Sequence, residues 1–393
     1  MSTVERWLLP EGIDEALPEQ AKALESLRRR ILDMYSSWGY ELVMPPFIEY
    51  LESLLTGTGH DLDLQTFKLT DQLSGRMMGV RADMTPQVAR IDAHRLKRDV
   101  PTRLCYMGTV LNTRPDGFAG SRSPMQIGAE LYGHSGLDSD LEVISMMIET
   151  LKLAGITQFH IDVGHVDIFG KLTEQAGLTE DQESAYFDML QRKAIPEITA
   201  FVDSLAIDAS YQDALRGLAS LNGDMSAIDR ARSLLDSIDG MTETLDEVVS
   251  FCEQLSASYP GIDLNIDLAE LRGYNYHTGI VFAAYVPGQG KEIALGGRYD
   301  DIGKVFGHAR PATGFSTDLK TLLSLSSEQA ESDADMIFAP ADPDASLRAV
   351  IASLRSEGQR VIIALDGQTA SAEAMGCTHQ LVRQNGEWVL QSI

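Results

Sequence analysis

The chain has 393 residues, of which 44% are hydrophobic and 23% charged, the balance of a globular protein with a sizeable core and about two or three domains. Fifty-eight acidic against 32 basic residues give a formal net charge of −26. Because phosphate neutralisation supplies most of the affinity for nucleic acids, this charge argues against bulk binding of nucleic acid.

The apolar residues also argue against a membrane protein. No apolar run approaches the ~20 residues needed to cross a bilayer, and the first residues lack a basic segment followed by an apolar one. Three widely separated cysteines without CxxC spacing, Cys105, Cys252 and Cys377, predict buried thiols in a reducing compartment. We therefore expect a cytoplasmic protein that contacts no membrane.

The first third of the chain alternates helical and strand patterns. Apolar side chains at helical spacing predict a helix over 18–38. The segment 40–50 carries two prolines after a β-rich start and predicts a strand that ends sharply. Residues 65–81 predict a hairpin with a Ser-Gly turn, and strand patterns follow over 104–112 and 124–132.

The middle of the chain changes character twice. Ser139 and Glu142 predict a capping box for a helix through about Leu153, and a strand pattern follows over 159–163. Residues 168–257 then lose all strand signals and predict a helical insertion. Strand patterns return afterwards, interrupted by a predicted Gly-Gly-Arg-Tyr-Asp turn.

These patterns predict the domain organisation. Residues 1–325 would form the main domain with the insertion 168–257 inside it, and the polar stretch 326–335 a linker. Residues 336–393 show a β-α-β pattern followed by a hairpin, which predicts a small C-terminal α/β domain.

A strand near residue 128 is the first candidate site. Gln126, Gly128, Glu130 and Tyr132 share one face of it, where an amide, a bare backbone, a carboxylate and a phenol stand in a row. This pattern suits a small polar ligand, with Gly128 leaving room for it. The alternative is a solvated sheet face, which for any such strand is the more frequent case.

Two further clusters are weaker candidates. Arg81, Asp83 and Thr85 follow the predicted hairpin, although Thr85 could simply cap a helix. Tyr274 and Tyr276 would share a strand face, together with Thr278 and beside Arg272, although aromatic residues in strands are more often core.

Other chemistries find no support in the sequence. The chain contains no GxxxxGK[ST], HExxH or GxSxG motif, and its eight histidines are scattered without metal-ligand spacing. We therefore predict no metal, no cofactor and no catalytic residue.

Taken together, ordered segments of residues 5–323 resemble histidyl-tRNA synthetase, a class II aminoacyl-tRNA synthetase. The matching segments are ELVMPPFIEYLESLLTGTG at motif 1, RADMTPQVARI, LCYMGTVLNTRPDGFAGSRSPMQIGAELYG at motif 2, LRGYNYHTGIVF and ALGGRYDDIG at the histidine-specific motifs, and ATGFSTDLKTLL in the place of motif 3. The resemblance implies an α+β fold with an antiparallel sheet flanked by helices, a helical insertion and a dimer formed through motif 1.

The departures from this family concern ATP. Asn112 stands where the family has the motif 2 arginine that contacts the α-phosphate, and Arg114 replaces a nearby glutamate. Thr321 stands where motif 3 has the arginine that holds the γ-phosphate. Neither Asn nor Thr supplies the cationic fork of an arginine, so the resemblance implies a degenerate ATP site without amino-acid activation. An alternative alignment places Arg114 in the motif 2 role but leaves Thr321 unexplained.

The residues of the family's amino-acid pocket, in contrast, have counterparts in this sequence. The resemblance assigns a group to each of its residues: Asp83, Thr85 and Gln126 to the α-amino group of histidine, Glu130 and Tyr276 to the imidazole, Arg272 to the carboxylate, and His277 to a position where the family has tyrosine.

The chain combines three features: the amino-acid pocket is present, the phosphate-binding arginines are absent, and the C-terminal segment is too short for an anticodon-binding domain. In this combination it resembles the family of ATP phosphoribosyltransferase regulatory subunits. That resemblance implies a non-catalytic protein that acts in the first step of histidine biosynthesis. It would activate a short-form catalytic subunit, mediate feedback inhibition by L-histidine, and form a homodimer within a hetero-oligomer. The alternatives are a divergent histidyl-tRNA synthetase, a free amino-acid-activating enzyme, and a scaffold with a vestigial pocket.

Overall fold

The computed structural model describes residues 7–56, 60–115, 120–270, 274, 276–305, 307, 309–327 and 335–393. The chain divides into two compact units, Met1–Ser327 and Glu328–Ile393. Within the described ranges, no helix combines the length and the apolar character that a membrane span requires. The three cysteines are free and buried, as predicted.

The strands belong to three sheets and are numbered here in chain order. They are β1 (Glu41–Leu42), β2 (Ile48–Tyr50), β3 (Phe67–Thr70), β4 (Met77–Val80), β5 (Thr102–Thr109), β6 (Met125–Tyr132), β7 (His160–His165), β8 (Asn222–Gly223), β9 (Asp263–Asp267), β10 (Ile280–Tyr285), β11 (Ala294–Arg298), β12 (Ala312–Asp318), β13 (Met336–Ala339), β14 (Arg360–Ile363), β15 (His379–Gln384) and β16 (Glu387–Ser392).

The helices lie mainly in the first unit. They are α1 (Pro18–Ser37), α2 (Leu51–Leu54), α3 (His60–Gln65), α4 (Thr85–Ile91), α5 (Leu137–Leu153), α6 (Val166–Gln175), α7 (Glu180–Gln191), α8 (Ile195–Asp203), α9 (Ala209–Leu218), α10 (Ser226–Leu234), α11 (Met241–Ser258), α12 (Ile302–Val305), α13 (Leu319–Leu325) and α14 (Ala345–Ser356). A π-helix, Asp92–Leu96, continues α4, and a 3₁₀ turn covers Glu373–Met375.

The main sheet organises the first unit. Among the described strands its order is β1-β5-β6-β12-β11-β10-β7-β9-β8. Most neighbours are antiparallel, but β1 pairs with β5 and β7 with β9 in parallel, so the sheet is mixed. A smaller sheet, β2-β4-β3, contains the predicted hairpin, whose strands pair antiparallel. The class II synthetase-like α+β fold is confirmed.

The two faces of β6 enter two different cores, as its alternation predicts. Ile127, Ala129 and Leu131 lie in the large core shared with the flanking helices. Tyr132 lies in a smaller cluster on the opposite face, to which Tyr106 of β5 also belongs. Because both faces are covered, the solvated-face alternative for this strand is wrong.

Three local predictions are wrong. Helix α5 begins at Leu137 after Gly136, and Ser139 lies inside the helix, where its hydroxyl donates to the Gly136 carbonyl at 2.7 Å. The glycines of the predicted Gly-Gly-Arg-Tyr-Asp turn lie in β11, paired with β10 and β12. A Cβ on Gly296 would come within 2.4 Å of a carbonyl oxygen of β12, so close strand packing explains this glycine. No strand contains Tyr274 or Tyr276.

The C-terminal unit has a sheet and a core of its own. Its sheet order is β14-β13-β15-β16, with β15 and β16 forming the predicted hairpin. The apolar face of α14 contributes Leu347 and Ile351 to a cluster with Ile337, Val361 and Leu381.

Candidate functional site

A buried carboxyl group is the centre of the candidate site. Glu130 on β6 is 1% exposed. Tyr106 donates a hydrogen bond to its Oε1 at 3.0 Å, and Tyr299, directly after β11, donates to its Oε2. A Cβ on Gly314 of β12 would lie 1.5 Å from Oε2, so only glycine lets that strand pass beside the carboxyl group.

Burial governs the protonation of this group. Desolvation raises the pKa of Glu130 to about 8, although the two tyrosine hydroxyls act in the opposite direction. Burial also raises the pKa values of Tyr106 and Tyr299 well above their ordinary value, so both remain hydrogen-bond donors. At neutral pH the site therefore holds a carboxyl group that keeps its proton and can give it to a basic ligand.

This raised pKa leads to a testable pH dependence of stability. The folded state holds the Glu130 proton up to about pH 8, whereas the unfolded chain releases it near the ordinary 4.5. Rising pH between these values therefore lowers the contribution of Glu130 to the free energy of unfolding. One pKa unit corresponds to about 1.4 kcal/mol. The free energy of unfolding of Glu130→Gln should therefore exceed that of wild type by a few kcal/mol at pH 8 and by little at pH 4.5. Urea unfolding at both pH values measures this; an equal difference at both would contradict it.

Polar side chains of β6 and of the segment that leads into α4 extend the site away from Glu130. Gln126 donates to Asp83 Oδ1 at 2.7 Å, and the backbone N–H of Thr85 donates to the same oxygen at 3.0 Å. The Thr85 hydroxyl lies 2.9 Å from the Tyr106 hydroxyl. One hydrogen-bonded chain thus connects Asp83 with Glu130. Helix α4 begins at Thr85 after Met84, so Thr85 does not cap it.

The role predicted for Gly128 is wrong. A Cβ at this position would lie 2.4 Å from the Tyr106 hydroxyl, so the glycine makes room for a tyrosine of the neighbouring strand. Tyr106 and Gly128 are directly paired across β5 and β6. The sequence patterns did not identify Tyr106 or Tyr299 as site residues. Tyr106 could have been found only from the register of β5 against β6, which places it opposite Gly128.

Tyr276, which the resemblance assigns to the imidazole, and the neighbouring His277 both pack against Tyr299. The Tyr276 ring stacks on the Tyr299 ring at 4.9 Å, and its buried hydroxyl has no hydrogen-bond partner among the described residues. His277 packs its edge against Tyr276, and its Nδ1 lies 3.2 Å from the Arg298 carbonyl. Burial lowers the pKa of His277 to about 4, so this ring is neutral. Arg272 lies outside the described residues.

Two other residues from the sequence candidates lie elsewhere. Tyr274 packs against Phe169 at 4.8 Å and donates to Glu183 at 3.0 Å, away from the tyrosines around Glu130. Arg81 is buried and donates to the carbonyls of Thr109 and Pro45, at 3.0 and 2.8 Å. The predicted face of Tyr274, Tyr276 and Thr278 is therefore wrong, and Arg81 supports the backbone.

An open cavity of about 740 Å³ adjoins the Asp83–Gln126 end of the site. Asn112 and Thr321 line it, whereas Arg114 is exposed and does not. Thr321 donates to the Asp318 carboxylate at 2.8 Å, and Asn112 Oδ1 is buried without a partner among the described residues.

The charge of this cavity is unsuited to a triphosphate. Asp83, Glu292 and Asp318 line it, against one described lining cation, Lys291. In the described part of the chain, no group of three His, Cys, Asp or Glu side chains could hold a metal ion to offset these carboxylates. The cavity can take a small polar molecule far more easily than a polyanion.

The chain matches two family models. Residues 12–322 match the model described as histidyl-tRNA synthetase. Residues 334–391 match the model described as the C-terminal domain of ATP phosphoribosyltransferase subunit HisZ.

Curated relatives match over almost the whole chain. A protein of Thioalkalivibrio sulfidiphilus named ATP phosphoribosyltransferase regulatory subunit is 61% identical, with 100% of each chain covered. One of the same name from Alkalilimnicola ehrlichii is 54% identical over 99% of this chain and 98% of its own.

Solved structures share the fold. A Bacillus halodurans protein described as an ATP phosphoribosyltransferase regulatory subunit/histidyl-tRNA synthetase has a TM-score of 0.83 at 28% identity, covering 94% of this chain and 96% of its own. Histidyl-tRNA synthetase from Nostoc has a TM-score of 0.77 at 18% identity, covering 98% of this chain and 97% of its own. At this low identity the likeness is evidence for the fold and for nothing further.

Proposed function

Because the chain belongs to the family of ATP phosphoribosyltransferase regulatory subunits, we propose that it binds L-histidine around Glu130 and conveys the occupancy of this pocket to a catalytic subunit. The observation that carries the proposal is the buried, protonated Glu130 between two tyrosine hydroxyls, connected through Tyr106 and Thr85 to Asp83 at the edge of an open cavity. An imidazole ring has the size to fit beside such a group and a nitrogen that can accept a hydrogen bond from it.

We assign each group of the amino acid to the residues that the resemblance indicates. We assign the imidazole to Glu130 and Tyr276, whose buried hydroxyl has no described hydrogen-bond partner. The α-ammonium group is assigned to Asp83, with Thr85 and Gln126 beside it; the hydrogen bond from Gln126 already orients the Asp83 carboxylate. Arg272 is assigned to the carboxylate and His277 to the wall behind Tyr276. The degenerate ATP site at Asn112, Arg114 and Thr321 has no catalytic role in this proposal.

The curated relatives' name implies a catalytic ATP phosphoribosyltransferase as the partner, and we propose that it is the short form of that enzyme. We expect the chain to raise the activity of that enzyme and histidine to reverse the gain, in the cytoplasm and without nucleic acid or membrane. Coupling requires that histidine bind the active and inhibited complexes with different affinities.

The experiment measures phosphoribosyl-ATP formation by the catalytic subunit alone and with this chain added, each across a histidine titration. The proposal expects activation by the chain and loss of that activation at high histidine. Activation that is insensitive to histidine would favour a scaffold role, and no activation would refute the regulatory function.

We further propose a homodimer built on the segment 40–55. Large apolar side chains there, and on the β3–β4 hairpin, are exposed: Leu42 (41%), Met44 (75%), Phe47 (43%), Ile48 (42%), Leu73 (99%) and Met77 (47%). Several large apolar side chains exposed on this segment and this hairpin are typical of a surface that pairs with a second copy.

The dimer prediction can be tested by disrupting this patch. Met44→Asp combined with Leu73→Asp places charges in the proposed interface and should yield a monomer in light scattering at micromolar concentration. The matched control, Leu365→Asp with Ile195→Asp, alters side chains that are 74% and 46% exposed elsewhere and should remain dimeric. A monomeric wild type would refute the proposal.

A further inference from the structure

Two neighbouring cations outside the pocket have no partner in the described part of the chain. Most arginine and lysine side chains of the first unit pair with carboxylates or carbonyls; Arg98, for instance, binds Glu41, and Arg103 binds Glu142. The Arg95 and Lys97 side chains are exposed and form no ion pair or hydrogen bond with a described residue. In a chain of net charge −26, free neighbouring cations are an exception that points to an external anionic group.

The backbone that carries these cations is unusual. Arg95 lies in the last turn of the π-helix Asp92–Leu96, a wide form found frequently at functional sites. Lys97 ends this helix in the left-handed region, at φ 50°, where glycine would fit without strain. A lysine in this strained backbone conformation suggests that its side chain has a role there.

The inner side of the same helix is fastened to the binding strand. Asp92 is 2% exposed and accepts two hydrogen bonds from Arg310, at 3.0 and 3.1 Å. Arg310 also donates to the carbonyls of Val100 and Tyr132. Segment 92–100 is thus held at both ends by a guanidinium group that contacts the last residue of β6.

From Tyr132 the contacts continue to the buried carboxyl group. The Tyr299 hydroxyl lies 3.5 Å from the Tyr132 hydroxyl and donates to Glu130. The Tyr132 and Tyr299 rings also meet edge to face at 6.5 Å, in a cluster that includes Ala93 of the π-helix. A shift of Tyr299 on ligand binding would therefore reach the helix through packed groups.

We propose that Arg95 and Lys97 dock an acidic surface of the catalytic subunit, and that the contacts through Tyr299, Tyr132 and Arg310 connect this docking point with histidine at Glu130. This inference rests on the proposed function and names its interaction surface. A protein partner fits better than a polyanion, because two cations on an otherwise acidic chain offer little to a long phosphate backbone.

Charge reversal tests the docking point. Arg95→Glu with Lys97→Glu should weaken association with the catalytic subunit at least tenfold at 50 mM NaCl, while histidine binding to the isolated chain stays unchanged. The control, Arg192→Glu with Arg230→Glu, makes the same change in net charge at exposed positions of the insertion and should associate like wild type. Equal affinity of all three chains, or equal weakening by both variants, would overturn the docking surface. If wild type itself fails to associate, the proposed function fails with it.

Amide hydrogen exchange tests the connection. Histidine added to wild type should change the protection of peptides covering 92–100 as well as those covering β6. Protection of β6 with no change in 92–100 would overturn the connection while leaving histidine binding intact. No change in either segment would refute histidine binding itself.

Discussion

Glu130→Ala is expected to weaken histidine binding tens- to thousands-fold and to make the phosphoribosyltransferase complex insensitive to histidine. Removing a buried partner of a charged ligand group costs roughly 2–5 kcal/mol, which corresponds to that loss of affinity. The effect should be large because the carboxyl group is 1% exposed, so water cannot replace it at the imidazole. The measurement combines calorimetric titration of the isolated chain with inhibition curves of the complex.

A matched variant separates this effect from a loss of folding. Glu142→Ala removes a carboxylate that pairs with Arg103 outside the pocket, and it should leave the histidine affinity unchanged. Thermal unfolding of both variants establishes that each is folded. If Glu130→Ala and wild type give the same inhibition curve, the regulatory site lies elsewhere and the assignment fails.

The purified chain is expected to form no histidyl-adenylate. Stabilising the charge that develops during adenylate formation depends on positioned cations, and removing even one such group typically costs about 100- to 1,000-fold in rate. Here Asn112 and Thr321, to which the resemblance assigns the two arginine positions, line the cavity together with three carboxylates. Histidine-dependent ATP–pyrophosphate exchange measures the reaction, and a rate typical of synthetases would contradict the prediction.

The same cavity offers a converse experiment. Asn112→Arg combined with Thr321→Arg should raise the affinity for ATP, because each guanidinium group adds a cationic fork for phosphate oxygens. The control, Gln254→Arg with Ser258→Arg, adds the same charge at exposed positions of α11 that do not line the cavity, and it should not alter ATP binding. An equal ATP affinity for wild type and the double variant would locate the nucleotide determinant elsewhere.

The sequence predicted those features that depend on local periodicity. The alternation in β6 correctly separated Ile127 and Leu131 from Glu130 and Tyr132, because the side-chain period of a strand is two. The β3–β4 hairpin was also predicted correctly from its turn residues. The contact between Gln126 and Asp83 followed from the resemblance, since their segments are far apart in the chain.

Features that depend on pairing between distant segments were missed. Tyr106 reaches Glu130 only through the register of β5 against β6, which no local pattern fixes. Gly128 was therefore assigned to a ligand although a tyrosine fills its space. Ser139 was assigned to a cap because its spacing from Glu142 fits the motif, but its hydroxyl donates within the helix and accepts from Arg298.

The proton held by Glu130 bears on how a cell would use the signal. Free imidazole has a pKa near 6.5, whereas the pKa of this carboxyl group is about 8. Between these values a neutral ring meets a protonated acid, so the two can pair without a net exchange of protons with the buffer. Binding would then be independent of acidity across the range in which most cytoplasm is kept. The subunit would report the supply of the amino acid and ignore drift in intracellular pH.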